Sequence, residues 1–358
     1  MGKKALIAMS GGVDSSVAAF LLKQAGYDCI GVTMKLFQMR ISGKAKTCCS
    51  LDDVEDARGV ARRLGIPYYV FNFSEDFKTQ VIGRFISAYE NGATPNPCID
   101  CNRYLKFGCL FQRARELGCD TIATGHYARI EMQDGRYILK KALDRSKDQS
   151  YVLYSLTQEQ LAHVRFPLGG LSKVEVRSIA EAQGFYNAEK PDSQDICFVP
   201  DGNYTAFLER YTGKLYSSGD VLDLSGQVIG QHQGAVRYTI GQRKGLGLAL
   251  NKLVYVCRKD MAANTVTVGP DQALYTQELW ADDVNWISVD RLSAPMRVCA
   301  KIRYRQAEQP ATAYPDADGK IRLFFDKPQR AVTAGQAVVL YDGDMVVGGG
   351  AILDAIQS

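Results

Sequence analysis

Residues 3–16 read Lys3-Lys4-Ala5-Leu6-Ile7-Ala8-Met9-Ser10-Gly11-Gly12-Val13-Asp14-Ser15-Ser16, and this stretch decides the fold. A short apolar run that ends at a glycine pair predicts a strand leading into a turn. Asp14 to Gly26 then carries helical spacing and a glycine stop. Glycines 11 and 12 let backbone amides approach a phosphate closely. The helix start supplies unbonded N–H groups and the positive end of a dipole. Ser10, Ser15 and Ser16 add hydroxyl donors. Asp14 repels phosphate, so a magnesium ion or a helix cap is its expected use. The string lacks the lysine of GxxxxGK[ST] and is not GxGxxG.

Outward from this loop, strand-like and helix-like stretches alternate. Residues 27–37, 67–73 and 119–130 read as strands, and 51–66 and 77–92 as helices. Such alternation predicts a doubly wound parallel α/β sheet. After Gly202 one more helix is expected over 204–213. The texture then changes to short alternating runs separated by turn residues, which predicts β-barrels or sandwiches. The expected division is 1–205 as an α/β domain that carries the phosphate loop, 206–277 as a central β-rich domain and 278–358 as a C-terminal β-barrel-like domain.

The 358 residues are 46% hydrophobic and 23% charged, with 43 Lys and Arg against 39 Asp and Glu, a net charge of +4. This is ordinary for a globular chain, and it permits nucleic-acid binding without arguing for it. No apolar run is long enough to cross a membrane. The first residues read as a strand rather than an export signal. Ten cysteines are therefore expected to stay reduced in a cytoplasmic protein, where clustered thiols suggest catalysis or metal binding.

Two cysteine segments stand out. Thr94-Pro95-Asn96-Pro97-Cys98-Ile99-Asp100-Cys101-Asn102 precedes a helical run. Its prolines make the start rigid, placing Cys101 near a helix N-terminus beside Arg103 and Lys106, where thiolate is favoured. Lys190-Pro191-Asp192-Ser193-Gln194-Asp195-Ile196-Cys197-Phe198 is a polar, loop-like segment between helices. Cys29, Cys109, Cys119, Cys257 and Cys299 have apolar neighbours and read as core residues. Cys48-Cys49 reads as structural. Arg237, Arg243, Lys244, Lys252, Arg258 and Lys259 could form a phosphate-binding face; His163 and His232 have no role that the sequence argues.

The loop resembles the SGGxDS phosphate loop, the PP-loop, of the ATP pyrophosphatase superfamily. SGGVDSS, NPCxxCN, ATGHY, KDQSY, SQDICF and GQRKGLG, in that order, resemble the tRNA-specific 2-thiouridylases over essentially the whole chain. The resemblance implies ATP cleavage between the α and β phosphates, with magnesium. It places the nucleotide against Ala8, Met9, Ser10, Gly11, Gly12, Val13, Asp14 and Ser15, with Met34 at the adenine and Gly125 nearby. It places tRNA against Asn96, Pro97, Cys98, His126, Lys147, Asp148, Gln149, Arg303, Tyr304 and Gln336. It implies that Cys197 carries a persulfide to an adenylated uridine and that Cys101 releases the sulfur by forming a Cys101–Cys197 disulfide.

Many family members have Asp where this chain has Cys98. Cys98, Cys101 and Cys197 could therefore hold an iron–sulfur cluster instead. The implied partners are tRNAs of the Lys, Glu and Gln type and a cysteine desulfurase or sulfur-relay protein, with no membrane. Loops 35–50 and 190–205 are expected to be mobile before tRNA binds. A PP-loop synthetase acting on a small molecule, or a non-catalytic RNA-binding protein with a relic loop, would explain the phosphate loop but leave both thiols idle.

Overall fold

The computed structural model describes residues 3–41, 44–47, 51–191, 196–249 and 251–354. The opening apolar run forms the strand Lys4–Ala8, with Ala5, Leu6 and Ile7 fully buried. It is the middle of a five-stranded sheet ordered Tyr68–Asn72, Asp28–Lys35, Lys4–Ala8, Thr121–Ala123, Val164–Arg165. All neighbours pair in parallel. Helices over the faces of such a sheet explain why its inner strands are continuously apolar rather than alternating. The strand order reverses beside Lys4–Ala8, and ligand crevices open at the carboxyl ends of strands flanking a reversal. Ser10 and Gly125 both leave from those ends.

The expected strand over 119–130 is two strands in two sheets. Thr121–Ala123 belongs to the parallel sheet, and Ala128–Gln133 pairs with Arg136–Lys141 as a hairpin. The break at Gly125 has a steric reason, given below. The hairpin joins the C-terminal sheet at Lys140 opposite Met345. The Lys141 amide donates to the Asp344 carbonyl at 2.9 Å, and the Arg129 and Arg145 guanidiniums both pair with the Asp344 carboxylate. The C-terminal strands from Tyr275 to Asp354 close into a barrel where Tyr275–Trp286 pairs with Met345–Asp354. Between these units, Gly219–Leu222, Val228–His232, Tyr255–Asp260 and Thr265–Gly269 form a four-stranded sheet.

One apolar cluster runs from Leu6 in the parallel sheet through Phe85, Leu105 and Tyr151 to Ile287 and Tyr341 in the barrel. The first unit and the barrel thus share a core. The expected loop over 35–50 contains the hairpin Gln38–Ile41 with Lys44–Thr47. Cys48 and Cys49 lie outside the described residues, as do Asp192 to Asp195. Among the described residues no helix is long and apolar enough to cross a membrane.

Candidate active site

Gly11 has φ +77°, and a Cβ there would lie 2.3 Å from the Asp53 carbonyl oxygen, so backbone conformation and space both require glycine. The Ser15 and Ser16 hydroxyls donate to the Gly12 carbonyl at 3.0 Å, and the Ser10 amide donates to Ser15 Oγ at 3.1 Å. These bonds curl the loop around the start of helix Val13–Gln24. The helix is capped by Gly12 with no side-chain bond, which leaves its first amides available for an anion. Ala8 ends the strand. Met9 is buried, its amide donating to the Val32 carbonyl at 2.8 Å. Val13 and Met34 are also buried.

Asp14 does not cap the helix. Its carboxylate accepts from Tyr127 Oη at 2.8 Å and from Lys173 Nζ at 2.7 and 2.9 Å. Lys190 Nζ reaches Asp53 at 2.6 Å and Asp56 at 2.7 Å, and lies 3.4 Å from the Gly11 carbonyl. Asn187 Nδ2 donates to the Gly11 carbonyl and to Ser16 Oγ, each at 3.0 Å. Two lysines thus stand beside the loop, each held by carboxylates. Sequence reasoning missed Tyr127, Lys173, Asn187 and Lys190. The Ser172–Glu175 capping box before Lys173 was the one local signal, since it fixes a helix start there.

A Cβ on Gly125 would lie 2.8 Å from both the Asp14 carbonyl carbon and the Ser15 amide nitrogen. Only a bare backbone fits against the loop at this point. This contact ends the parallel strand and turns the Thr124, His126 and Tyr127 side chains inward, where all three are buried.

The thiol helix starts earlier than the sequence reading placed it. Asn96 is the N-cap, its Oδ1 accepting from the Cys98 amide at 3.2 Å, and Pro97 is the first helical residue. An Asn-Pro pair is a cap followed by a proline at N1, a signal read there only as stiffness. Cys98 therefore sits in the first turn. Cys101 lies a turn further, where Pro97–Asp100 passes into a π-helical segment, Cys101–Cys109. The dipole argument applied to Cys101 belongs more to Cys98. Three residues apart on a helix, the two share a face. Single π-turns recur at functional sites.

Cys98 and Cys197 are both solvent-exposed, and Cys101 is half-buried against the core. Although exposed, Cys98 sits in a crowded cleft. Burial by its neighbours pushes its thiol up, the Cys197 sulfur pushes it further, and the Lys106 ammonium opposes both. Cys197, from the far end of the first unit, thus lies near enough to the thiol helix to act electrostatically on Cys98. Its neighbour Phe198 is its anchor, packed edge-on to Phe85 at 5.1 Å and Phe77 at 5.7 Å between ring centres.

Lys106 also connects this cleft to the phosphate loop. Its Nζ lies 3.5 Å from His126 Nε2, and His126 Nδ1 lies 2.6 Å from Thr124 Oγ1. Burial and the Lys106 charge hold His126 well below the usual histidine range, so it is neutral. Lys106 touches His126, His126 follows Gly125, and Gly125 abuts the loop at Asp14 and Ser15, while the charges of Lys106 and Cys197 both act on the Cys98 thiol. His126 itself is buried, 8% exposed, in the unbound chain.

Other residues for which the resemblance implies RNA contacts make bonds within the protein. Asp148 accepts from the Ala142 amide at 3.0 Å and from Ser150 Oγ at 2.8 Å. Gln149 Oε1 accepts from the Tyr127 amide at 3.0 Å. The Arg303 guanidinium donates to the Ala331 carbonyl. Tyr304 Oη donates to the Asp148 carbonyl at 3.2 Å while 38% of the residue remains exposed. Gln336 Nε2 donates to the Thr94 carbonyl at 2.7 Å, just before the thiol helix. Lys147 is half-buried in the same turn, its amide donating to the Asp144 carbonyl at 3.1 Å. These bonds seat the barrel against residues 93–98 and 142–150.

The expected basic face of the central unit is smaller than its sequence. Arg237 pairs with Glu209, and the Lys259 ammonium is buried without a hydrogen bond, its affinity for a proton lowered to about 8 by desolvation. Arg243, Lys244, Lys252 and Arg258 remain exposed. Arg243 and Lys252 line a groove of about 430 Å³ with Leu246, Leu248 and Leu253, away from the loop and the thiols. Cys29, Cys119 and Cys257 are buried as expected, but Cys109 and Cys299 are only half-buried. Among the described residues no three His, Cys, Asp or Glu side chains converge as a metal-ligand set. Cys98, Cys101 and Cys197 thus do not form a cluster cradle in this conformation.

A glycine-serine phosphate loop at a sheet switch point, linked through Gly125, His126 and Lys106 to a helix that carries thiols, defines a PP-loop enzyme that activates a substrate with ATP and handles sulfur. Family models match along the chain: the tRNA methyl transferase HUP domain over residues 3–201, the tRNA methyl transferase PRC-barrel domain over 205–270 and the aminomethyltransferase beta-barrel domain over 276–352. The tRNA-specific 2-thiouridylase MnmA of Clostridioides difficile is 52% identical across 98% of both chains. That of Acetivibrio thermocellus is 52% identical across 98% of this chain and 99% of its own, and that of Geotalea uraniireducens 51% across 99% and 96%. The chain belongs to the tRNA-specific 2-thiouridylase family.

Proposed function

We propose that this chain catalyses ATP-dependent 2-thiolation of the wobble uridine of tRNA. The observation that supports it most directly is the helix of Cys98 and Cys101 linked to the phosphate loop through Lys106, His126 and Gly125, with Cys197 near enough to act electrostatically on Cys98. A uridine carbonyl oxygen is a poor leaving group. Attack of O2 on the α-phosphorus forms a P–O bond, breaks the α–β phosphate bond and releases pyrophosphate to the loop amides. C2 then carries adenylate, which leaves as AMP.

Sulfur arrives as the terminal atom of a Cys197 persulfide. That atom bonds C2 as AMP departs with its electron pair, leaving the base joined to Cys197 through a disulfide. The Cys101 thiolate attacks the Cys197 sulfur, the S–S bond to the base breaks, and 2-thiouridine leaves with the electron pair. Cys101 and Cys197 are then bonded, and an external dithiol must reduce them. The helical spacing that puts Cys101 on the same face as Cys98, and the influence of Cys197 on the Cys98 thiol, support this exchange.

Magnesium would be held by the Asp14 carboxylate together with the nucleotide phosphates, where it neutralises charge on the departing pyrophosphate. Asp14 is 30% exposed at its side chain and faces the loop, which suits that role. The plain thiol route is favoured over an iron–sulfur cluster because the three cysteines offer no convergent ligand set among the described residues. We assign 1–205 to catalysis, and 206–277 and 278–358 to the grip on tRNA. The substrates are inferred to be tRNAs of the Lys, Glu and Gln type, the donor a cysteine desulfurase or relay protein, and the compartment the cytoplasm.

The test is mass analysis of tRNA nucleosides after incubation with ATP, magnesium and a persulfide donor. 2-Thiouridine should form, and Cys101→Ser and Cys197→Ser should each abolish it while tRNA-dependent pyrophosphate release persists. Pyrophosphate release with a small carboxylate or amide in place of tRNA, unaffected by either substitution, would instead identify a small-molecule synthetase.

A further inference from the structure

The lysines nearest the phosphate loop are neutralised: Lys173 by Asp14, and Lys190 by Asp53 and Asp56. On the thiol side, Arg84 stands 3.9 Å from Asp100 and Arg103 pairs with Asp283. Lys106 differs. It is half-buried, among the described residues no carboxylate pairs with it, and its Nζ lies 3.5 Å from His126 Nε2. His126 is locked from behind by Thr124 Oγ1 at 2.6 Å on its other ring nitrogen. An ammonium at Nε2 makes that nitrogen the acceptor and leaves the proton on Nδ1, facing Thr124. The histidine thereby acts as a neutral rest that aims the ammonium without cancelling its charge.

Its location specifies the anion it meets. On one side is the Cys98 thiol, which the Lys106 charge stabilises as thiolate. On the other is the His126–Gly125 backbone, whose glycine abuts the Ser15 amide at the helix start. The β and γ phosphates fit the loop amides, and the base must reach the thiols. The α-phosphate therefore lies between them, on the side where Lys106 is. We propose that Lys106 is a catalytic residue that binds the α-phosphate, and that His126 and Thr124 are the positioning residues that aim it.

This inference rests on the adenylation step proposed above. In that step the α-phosphorus takes the uridine oxygen and loses pyrophosphate, and charge builds on its non-bridging oxygens. A fixed cation within hydrogen-bond reach stabilises the transition state more than the ground state. After transfer the same cation stabilises the phosphate of the leaving AMP.

The experiment compares Lys106→Met and Lys106→Arg with the unaltered enzyme in a Cys101→Ser background, following tRNA-dependent pyrophosphate release in a single turnover. The Cys101→Ser background stops sulfur release, so only the first step is read. Lys106→Met should lower the maximal rate about 10²-fold to 10³-fold, as loss of one aimed donor does, with the ATP concentration at half-rate changed less than about threefold. Lys106→Arg should restore at least a tenth of the rate. His126→Gln should fall between, and unchanged thermal midpoints exclude misfolding. Normal pyrophosphate release by Lys106→Met with loss only of 2-thiouridine in the Cys101-intact enzyme would overturn the assignment. If the unaltered enzyme itself releases no pyrophosphate with tRNA, the adenylation reading fails instead.

Discussion

Gly125 carries a constraint that its sequence context, Ala-Thr-Gly-His-Tyr, barely shows. A methyl group there meets two backbone atoms of the phosphate loop at 2.8 Å, and neither can yield without moving the start of helix Val13–Gln24. Gly125→Ala should raise the ATP KM for pyrophosphate release about tenfold or more, from strain of about 1–3 kcal/mol. An unchanged KM would mean that the loop moves freely. Asp100 offers a second test. Burial pushes its carboxyl up to about 6, against the opposing charges of Arg84 and Arg103. Its folded affinity for a proton exceeds the unfolded one, so the folded state gains stability as pH falls from about 6 toward 4 and loses it as pH rises. Relative to Asp100→Asn, the native chain should gain up to about 3 kcal/mol between pH 7 and pH 4 in urea unfolding. A flat difference would contradict the assignment.

At the level of elements, the two chemical segments are held in different ways. The phosphate loop is held by its own hydroxyl bonds and by Asn187 and Lys190 across it. The Cys197 segment is held by apolar packing, chiefly Phe198 in a cluster with Phe77, Phe85 and Phe207, flanked by Ile196 and Val199 against the same core. Phe198→Ala should cost about 3–5 kcal/mol and slow sulfur transfer more than pyrophosphate release, since it frees Cys197 without touching the loop. Equal loss in both would place Phe198 outside this role.

These elements were legible in the sequence to different degrees. The strand, loop and helix of residues 3–26 announce themselves through apolar run, glycine pair and helical spacing, all local signals. Helix 97–116 was legible as a helix but not in its start, because Asn96-Pro97 was read as stiffness. Nor was its π-helical middle legible, since one extra residue per turn leaves no distinct apolar period. The division of 119–130 was hidden because Gly125 is set by a contact with Asp14 and Ser15, far away along the chain. Lys173, Asn187 and Lys190 were unreadable as site residues for the same reason, and Lys106, legible as a charge beside the thiols, was not legible as a neighbour of His126.

Across the whole molecule, the barrel is the wall against which the thiol helix begins. Gln336 bonds the Thr94 carbonyl, the Thr94 amide donates to the Ala334 carbonyl at 2.8 Å, and Gly335, at φ +83°, leaves only 2.8 Å between a Cβ and Ala93. The hairpin 128–141 ties the same two units together at Asp344. Gln336, which the resemblance places against RNA, thus also ties the barrel to the residues that lead into the thiol helix. Gly335→Val should push the barrel loop off residues 93–94 and raise hydrogen exchange through 97–109 while leaving the amides of 13–24 protected. Equal exchange in both helices would show that the barrel contributes no such support.

The central claim is that Cys101 and Cys197 exchange bonds beside the phosphate loop. It is tested most directly by one turnover of Cys197-persulfidated enzyme with ATP, magnesium and tRNA, without reductant, followed by mass mapping of disulfide-linked peptides. One Cys101–Cys197 linkage should appear for each 2-thiouridine formed. Thiouridine without that linkage, or with Cys98 bonded to Cys197 in its place, would contradict the account.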